Sequence, residues 1–340
     1  MSRPVERDAP HVPVMLADVL EVLRPRDGGL YVDGTFGAGG YSRALLDAAD
    51  CTVLAIDRDR EAIMRGREMA VRFKGRLTLI EGRFGEMERL LREMNVQAVD
   101  GVALDVGVSS MQIDEAARGF SFQKDGPLDM RMSGEGVSAA DVINTLDETD
   151  LARIIAVYGE ERRARAIARA IVAVRQSARL ERTGELVEVL IGVLGAPRMG
   201  DKIHPATRTF QALRIFVNDE LGELARGLGG AEAMLREGGR LAVVAFHSLE
   251  DRIVKKFLAA RTGRAGRPSR HMPDPLAVEG PSFREVFRGA RKPQDKEILS
   301  NPRSRSARLR AAERTAAPVV ALDRTALGLD RFPILEEVFA

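Results

Sequence analysis

Apolar positions in the N-terminal part of the chain follow two alternating rhythms. Leu16, Val19, Leu20 and Leu23 line one face at helical spacing, and Pro25 ends that helix. Four short apolar runs then follow at residues 30–32, 52–56, 77–80 and 99–104, with helical patterns between them. Strands alternating with helices predict an α/β fold with a parallel sheet covered on both faces. Each run is closely followed by an acid or a glycine, where such sheets place their ligands.

After about residue 111 the rhythm changes. Helical patterns occupy 139–146, 149–158, 160–179, 183–194 and 207–226, with no convincing strand between them. The alternation resumes with a helix at 230–236 and a strand at 239–246. Two β-prone runs, 283–287 and 307–311, predict a closing antiparallel hairpin. The intervening 261–275 is rich in Arg, Gly and Pro and reads as a linker. The expected organisation is a core (1–115), an inserted helical domain (116–220), the rest of the core (221–315) and a tail (316–340).

Composition supports this picture without sharpening it. The 340 residues are 45% hydrophobic and 30% charged, enough for a large core under an ordinary surface. A net charge of +2 gives no global attraction to nucleic acid, so local basic density carries any such signal. The single cysteine, Cys51, excludes an intrachain disulfide. No apolar run approaches about 18 residues, and the first residues lack an apolar core. A cytoplasmic protein with no membrane partner is therefore the expectation. The histidines are dispersed and no cluster has metal-ligand spacing, so no metal is expected.

The chemistry starts at Asp33-Gly34-Thr35-Phe36-Gly37-Ala38-Gly39-Gly40, a glycine-dense turn between a strand and a helix. A dinucleotide site would continue with a third glycine, but that position is Ser42. Asp57 closes the next strand, where an acid can bind ribose hydroxyls. S-adenosylmethionine needs no phosphate cradle and is cationic, so Asp33 and Asp105 favour it. Phe84 stands where an apolar lid over adenine is useful. The residues alone leave a dinucleotide, or no ligand, as alternatives. Asp105 could bind the cationic end of the ligand, orient an acceptor amine, or cap a helix.

The same turn belongs to an ordered set. It continues with Ala55-Ile56-Asp57-Arg58-Asp59, Leu104-Asp105-Val106-Gly107-Val108-Ser109-Ser110 and Arg118-Gly119-Phe120-Ser121-Phe122. Gly126-Pro127-Leu128-Asp129-Met130-Arg131-Met132 and Tyr158-Gly159-Glu160-Glu161-Arg162 come next, then His204-Pro205-Ala206-Thr207-Arg208-Thr209-Phe210-Gln211-Ala212. Phe246-His247-Ser248-Leu249-Glu250-Asp251-Arg252 and Asn301-Pro302-Arg303-Ser304-Arg305-Ser306 complete it. Together these resemble the MraW family of bacterial small-subunit ribosomal RNA cytosine-N4-methyltransferases, from about residue 11 to 315.

The resemblance implies a class I S-adenosylmethionine-dependent methyltransferase core, Rossmann-like, with an inserted all-helical domain. It implies S-adenosylmethionine as methyl donor, and a cytosine amine in the decoding region of 16S rRNA, near the P site of the 30S subunit, as acceptor. Its cofactor positions fall on Gly39, Gly40, Tyr41, Asp57, Phe84, Asp105 and Gln112. Tyr41 departs from the histidine common in the family while keeping a ring.

For catalysis the expected residues are Asp105 and His247. Asp105 ends the fourth strand, where an acceptor for the amine N–H is useful. His247 follows the fifth, as a general base, a substrate-positioning group or a structural residue. Ser109 and Ser110 read as helix caps or helpers. Phe120 and Phe122 are candidates to hold an unstacked base, or core residues. Arg162, Arg165, Arg169, Arg175, Arg179 and Arg182 form one basic series, as an RNA face or a solvated face paired with Glu160 and Glu161. Arg208 and Arg214 look like phosphate contacts. Further basic density comes from Arg261, Arg264, Arg267 and Arg270, and from Arg303, Arg305, Arg308 and Arg310.

Overall fold

The computed structural model describes residues 13–198, 200, 203–264 and 280–339. Arg267 and Arg270 of the expected basic linker lie outside the described residues. In chain order the elements begin α1 (Leu16–Leu23), β1 (Leu30–Asp33), α2 (Gly40–Ala48), β2 (Thr52–Asp57), α3 (Arg60–Arg72), β3 (Leu77–Glu81), α4 (Met87–Glu93) and β4 (Val99–Asp105). Six helices follow: α5 (Ser110–Asp114), α6 (Ala139–Thr145), α7 (Glu148–Gly159), α8 (Ala164–Arg175), α9 (Thr183–Leu194) and α10 (Thr207–Asn218). Then come α11 (Glu220–Met234), β5 (Leu235–Ala245), α12 (Ser248–Arg261), β6 (Phe283–Glu285), α13 (Asp295–Ser300), β7 (Arg308–Arg314), α14 (Arg324–Leu327) and α15 (Leu335–Val338). None of the helices among the described residues is long and apolar enough to cross a membrane.

The chain divides into two compact units, 1–107 with 223–323 and 108–222 with 324–340. The first holds a seven-stranded sheet of order β3-β2-β1-β4-β5-β7-β6. β3 through β5 run parallel, whereas β7 is antiparallel to both β5 and β6. The runs that became β1, β2 and β4, with β5, are central strands because both of their faces are buried; Val53, Ala55, Val102, Ala103, Val243 and Val244 are all at most 1% exposed, whereas β3 lies at the sheet edge and is mostly half-buried. Chain order reverses between β1 and β4, so a crevice is expected outside the carboxyl ends there. Those ends carry Asp57, Asp33 and Asp105 on adjacent strands.

Three expectations need correction. The helical pattern 207–226 is two helices, broken at Asp219, which is left-handed (φ 48°). The strand expected at 239 begins at Leu235, after α11 has ended at Met234. Its register against β4 shifts between Val99 and Gly101, and this bulge takes up the extra residues. Lastly, 316–340 does not stand apart as a tail. Residues 324–340 group with the second unit, where the Tyr158 hydroxyl donates to the Pro333 carbonyl (2.7 Å) and its ring packs on Phe332.

Candidate active site

The glycine-rich turn is built around two carboxylates. Asp33 is fully buried at the end of β1. Its Oδ1 accepts the Thr35 N–H (3.2 Å), while Oδ2 accepts both the N–H and the hydroxyl of Ser42 (3.1 and 2.7 Å). Burial raises its pKa to about 6, against the opposing pull of these hydrogen bonds. Both oxygens are therefore engaged in shaping the turn. This corrects the expectation that Asp33 faces a cationic ligand. Ser42, which replaces the third glycine of a dinucleotide motif, is the partner that holds Asp33 in place.

Asp57 takes the other side of the turn. Its Oδ2 accepts the Gly37 N–H (2.7 Å) and its Oδ1 the Asp59 N–H (2.8 Å). Burial raises its pKa more than these bonds lower it. Gly39 is left-handed (φ 74°), and a Cβ there would lie 2.6 Å from Met69 Cε. At Gly40 a Cβ would lie 2.0 Å from Pro13 Cγ, so the N-terminal segment itself requires this glycine. The Tyr41 ring is buried and its hydroxyl donates to the Val14 carbonyl. The Tyr41 side chain thus reaches a backbone acceptor on the N-terminal segment.

Asp105 ends β4 in register with Val244 of β5. Its amide donates to Thr35 Oγ1 (2.7 Å), which ties β4 to the glycine turn. The carboxyl oxygen Oδ1 is buried and meets no hydrogen-bond partner among the described residues. Burial first, then the charges of Asp33 and Glu250, push the Asp105 carboxyl well above the usual range. An unpartnered carboxyl oxygen so deeply buried is available to a hydrogen-bonding group. Phe84 follows β3 in a single 3₁₀ turn (Phe84–Glu86) and is half-buried.

His247 caps α12. Its Nδ1 accepts the Glu250 N–H (3.4 Å), and its Nε2 lies 3.0 Å from Glu250 Oε1, out of line for a hydrogen bond. Glu250 Oε2 in turn accepts the N–H groups of Phe246 and His247 (2.8 and 3.2 Å). This reciprocal capping fixes the turn that leaves β5.

Residues 8–315 match the profile of the MraW methylase family. The chain belongs to that family. As an MraW methylase it is a methyltransferase. It is 70% identical over 328 residues, 96% of each chain, to a Parvibaculum lavamentivorans protein described as ribosomal RNA small subunit methyltransferase H. Proteins of the same description from Paramagnetospirillum magneticum and Rhodospirillum rubrum are 61% and 59% identical, over 91% of this chain and 97% and 95% of theirs. Among solved structures, an rRNA methylase from Streptococcus thermophilus shares 11% identity at a TM-score of 0.38, covering 88% of this chain and 92% of that one. That likeness carries no functional argument.

The MraW methylase brings Gly39, Gly40, Tyr41, Asp57, Phe84, Asp105 and His247 into its first unit. Gln112 lies in the second, buried on α5, where its Oε1 accepts the Ser109 N–H and Ser109 Oγ accepts its own (3.0 and 3.2 Å). Ser109 is thus a helix cap. Phe120 is buried, whereas the half-buried Phe122 packs on His204 and Phe210 (centroids 4.7 and 4.9 Å).

Several arginines of the expected RNA face have protein partners. Arg169 pairs with Glu148, Arg179 with Asp141 and Glu181, and Arg182 with Asp125, while Arg175 donates to the Ile143 carbonyl. Arg214, one of the two expected phosphate contacts, is mostly buried and grips Glu220 through two bonds (2.7 and 2.8 Å). Arg310 does the same with Asp251. Thr35, Ser42 and Glu250 were missing from the expected site. The His247-x-x-Glu250 spacing signals a capping box once histidine is admitted as the cap.

Proposed function

We propose that this methyltransferase moves a methyl group from S-adenosylmethionine to the N4 amine of a cytosine in 16S ribosomal RNA, in the decoding region near the P site. The observation that carries the reading is the 70% identity, over 96% of both chains, to a ribosomal RNA small subunit methyltransferase H. The open acceptor on Asp105, beside the glycine turn, supports a bound donor at that point. In this reading the protein works on the small subunit in the cytoplasm, and the helical stretch 116–220 contributes to RNA recognition.

S-adenosylmethionine supplies an electrophilic methyl on a sulfonium. The protein's part is placement and charge. We assign Gly39, Gly40 and Tyr41, with Asp57, Phe84 and Gln112, to holding the donor. A cytosine amine is a weak nucleophile because its lone pair is delocalised into the ring. Asp105, by accepting an amine N–H, localises that lone pair and steadies positive charge growing on N4. The new N–C bond forms as the C–S bond breaks, the sulfur leaves neutral, and the surplus proton departs to solvent. A cationic neighbour also favours the ionised form of Asp105, which burial alone suppresses. His247 acts here as a positioning residue, since its Nδ1 is engaged as the helix cap. The base must leave its stack to reach such a pocket.

The test is to incubate the protein with methyl-labelled S-adenosylmethionine and small subunits from a strain lacking its gene, then map the label. Label on a single 16S cytosine is expected. Label confined to protein, to small molecules or to large-subunit RNA would overturn the reading.

A further inference from the structure

We infer that one face of α11, carrying Glu223 and Gly227, sets the donor's adenine pocket by fixing the pose of Phe84 and the end of β2. This rests on the donor proposed above. Glu223, Gly227 and Gly230 fall on one face of the helix, at i, i+4 and i+7. Glu223 is 1% exposed, and its Oε2 lies 2.9 Å from Arg58 Nη1 and 3.6 Å from Arg83 Nη1. Arg58 directly follows Asp57, and Arg83 directly precedes Phe84. A single buried carboxylate therefore ties together the two loops that carry the expected ribose and adenine contacts.

Gly227 completes the arrangement. A Cβ at this position would lie 2.4 and 2.6 Å from Cδ2 and Cε2 of the Phe84 ring. Such a distance forces the ring to move. Gly85 mirrors it from the other side: a Cβ there would lie 3.1 Å from Glu223 Cγ. The helix thus meets the 3₁₀ turn at closer range than side chains permit. An interior helical glycine is intrinsically unfavourable relative to alanine. Its place here follows from the ring that lies against it. Phe84 remains half-buried, so part of its surface is left to face a ligand. Glu223 and Gly227 are positioning residues: they act on the donor through Arg58 and Phe84.

The test uses S-adenosylhomocysteine and isothermal titration calorimetry on the full chain, with thermal midpoints alongside. Gly227→Ala should weaken binding about tenfold, the affinity change of a 1.4 kcal/mol loss. The same substitution in a Phe84→Ala background should add no further loss of affinity, because the clashing ring is gone. A purely structural role for Gly227 would lower the midpoint in both backgrounds and leave the coupling absent. Gly227→Ala within twofold of wild type, or additive with Phe84→Ala, would overturn the inference alone. If Gly227→Ala does not fold, Glu223→Gln decides: weaker binding supports the inference, and unchanged affinity refutes it. Wild-type protein that fails to bind S-adenosylhomocysteine would instead overturn the donor reading and the pocket with it.

Discussion

Replacing Arg261 with methionine should be among the most damaging single changes in the first unit. Arg261 ends α12 and is 6% exposed; its partner Glu232 on α11 is 0% exposed. The Arg261 Nε lies 3.0 Å from Glu232 Oε2, and its Nη2 donates to the carbonyls of Val320 and Ala321 (2.7 and 3.2 Å). Glu232 Oε1 accepts the Ser282 hydroxyl (2.6 Å) and the Val320 N–H (3.3 Å). Methionine fills much of the stem but leaves the Glu232 charge buried with only those two neutral donors. Breaking a buried pair from one side costs about 3–5 kcal/mol. In a unit of this size that lowers the melting temperature by roughly 6–20 °C. Circular dichroism melts of wild type, Arg261→Met and Arg261→Met/Glu232→Leu would measure it. The double variant should recover most of the loss, since an apolar pair replaces a stranded charge. A single variant within a degree of wild type, or a double variant no better than the single, would refute the reasoning.

Asp33 predicts a pH signature. Its native pKa of about 6 exceeds the ordinary 3.8, so between those values the native state holds a proton that the unfolded chain has released. Its contribution to stability therefore falls as pH rises from about 4 to about 6, by about 3 kcal/mol in all. Asp33→Asn cannot titrate, so the wild-type-minus-variant difference in unfolding free energy should decline across that window in urea titrations. A constant difference would contradict it. Tyr41→Phe removes the buried bond to the Val14 carbonyl and should cost about 1–3 kcal/mol by the same measurement; no loss would show that bond to be inconsequential. Asp105→Asn should leave the melting temperature at or above wild type, because burial already favours the neutral acid, yet lower methyl transfer by about a hundredfold or more. Near-wild-type transfer would remove Asp105 from the reaction.

The fold was legible where local pattern and burial agree. The runs that became β1 to β4 are short, mostly apolar and end in or beside acids, so their positions along the chain could be read directly. The break at Asp219 was not legible, because a polar residue inside a helical period carries no mark of a left-handed φ. The early start of β5 was hidden because Leu235 and Arg236 continue the helical pattern expected over 230–236, although they sit in a bulged strand. In the site, sequence identified the carboxylates but not their direction. Asp33 turns inward to Thr35 and Ser42 while Asp105 keeps an open oxygen, and that difference depends on how the glycine turn and the start of α2 fold back over the end of β1. His247 likewise fits a general-base, a substrate-positioning or a structural role by sequence; its distance to the Glu250 N–H establishes the cap. The resemblance supplied the acceptor, which neither periodicity nor charge contained.

The central claim is the atom that receives the methyl group. Small subunits from a strain lacking the gene, treated with the protein and S-adenosylmethionine, can be digested to nucleosides and separated by liquid chromatography with mass spectrometry. N4-methylcytidine should appear at one residue of 16S RNA in proportion to enzyme, and should vanish with Asp105→Ala. A methyl group on cytosine C5, on another base, or on no nucleoside of the small subunit would contradict the account.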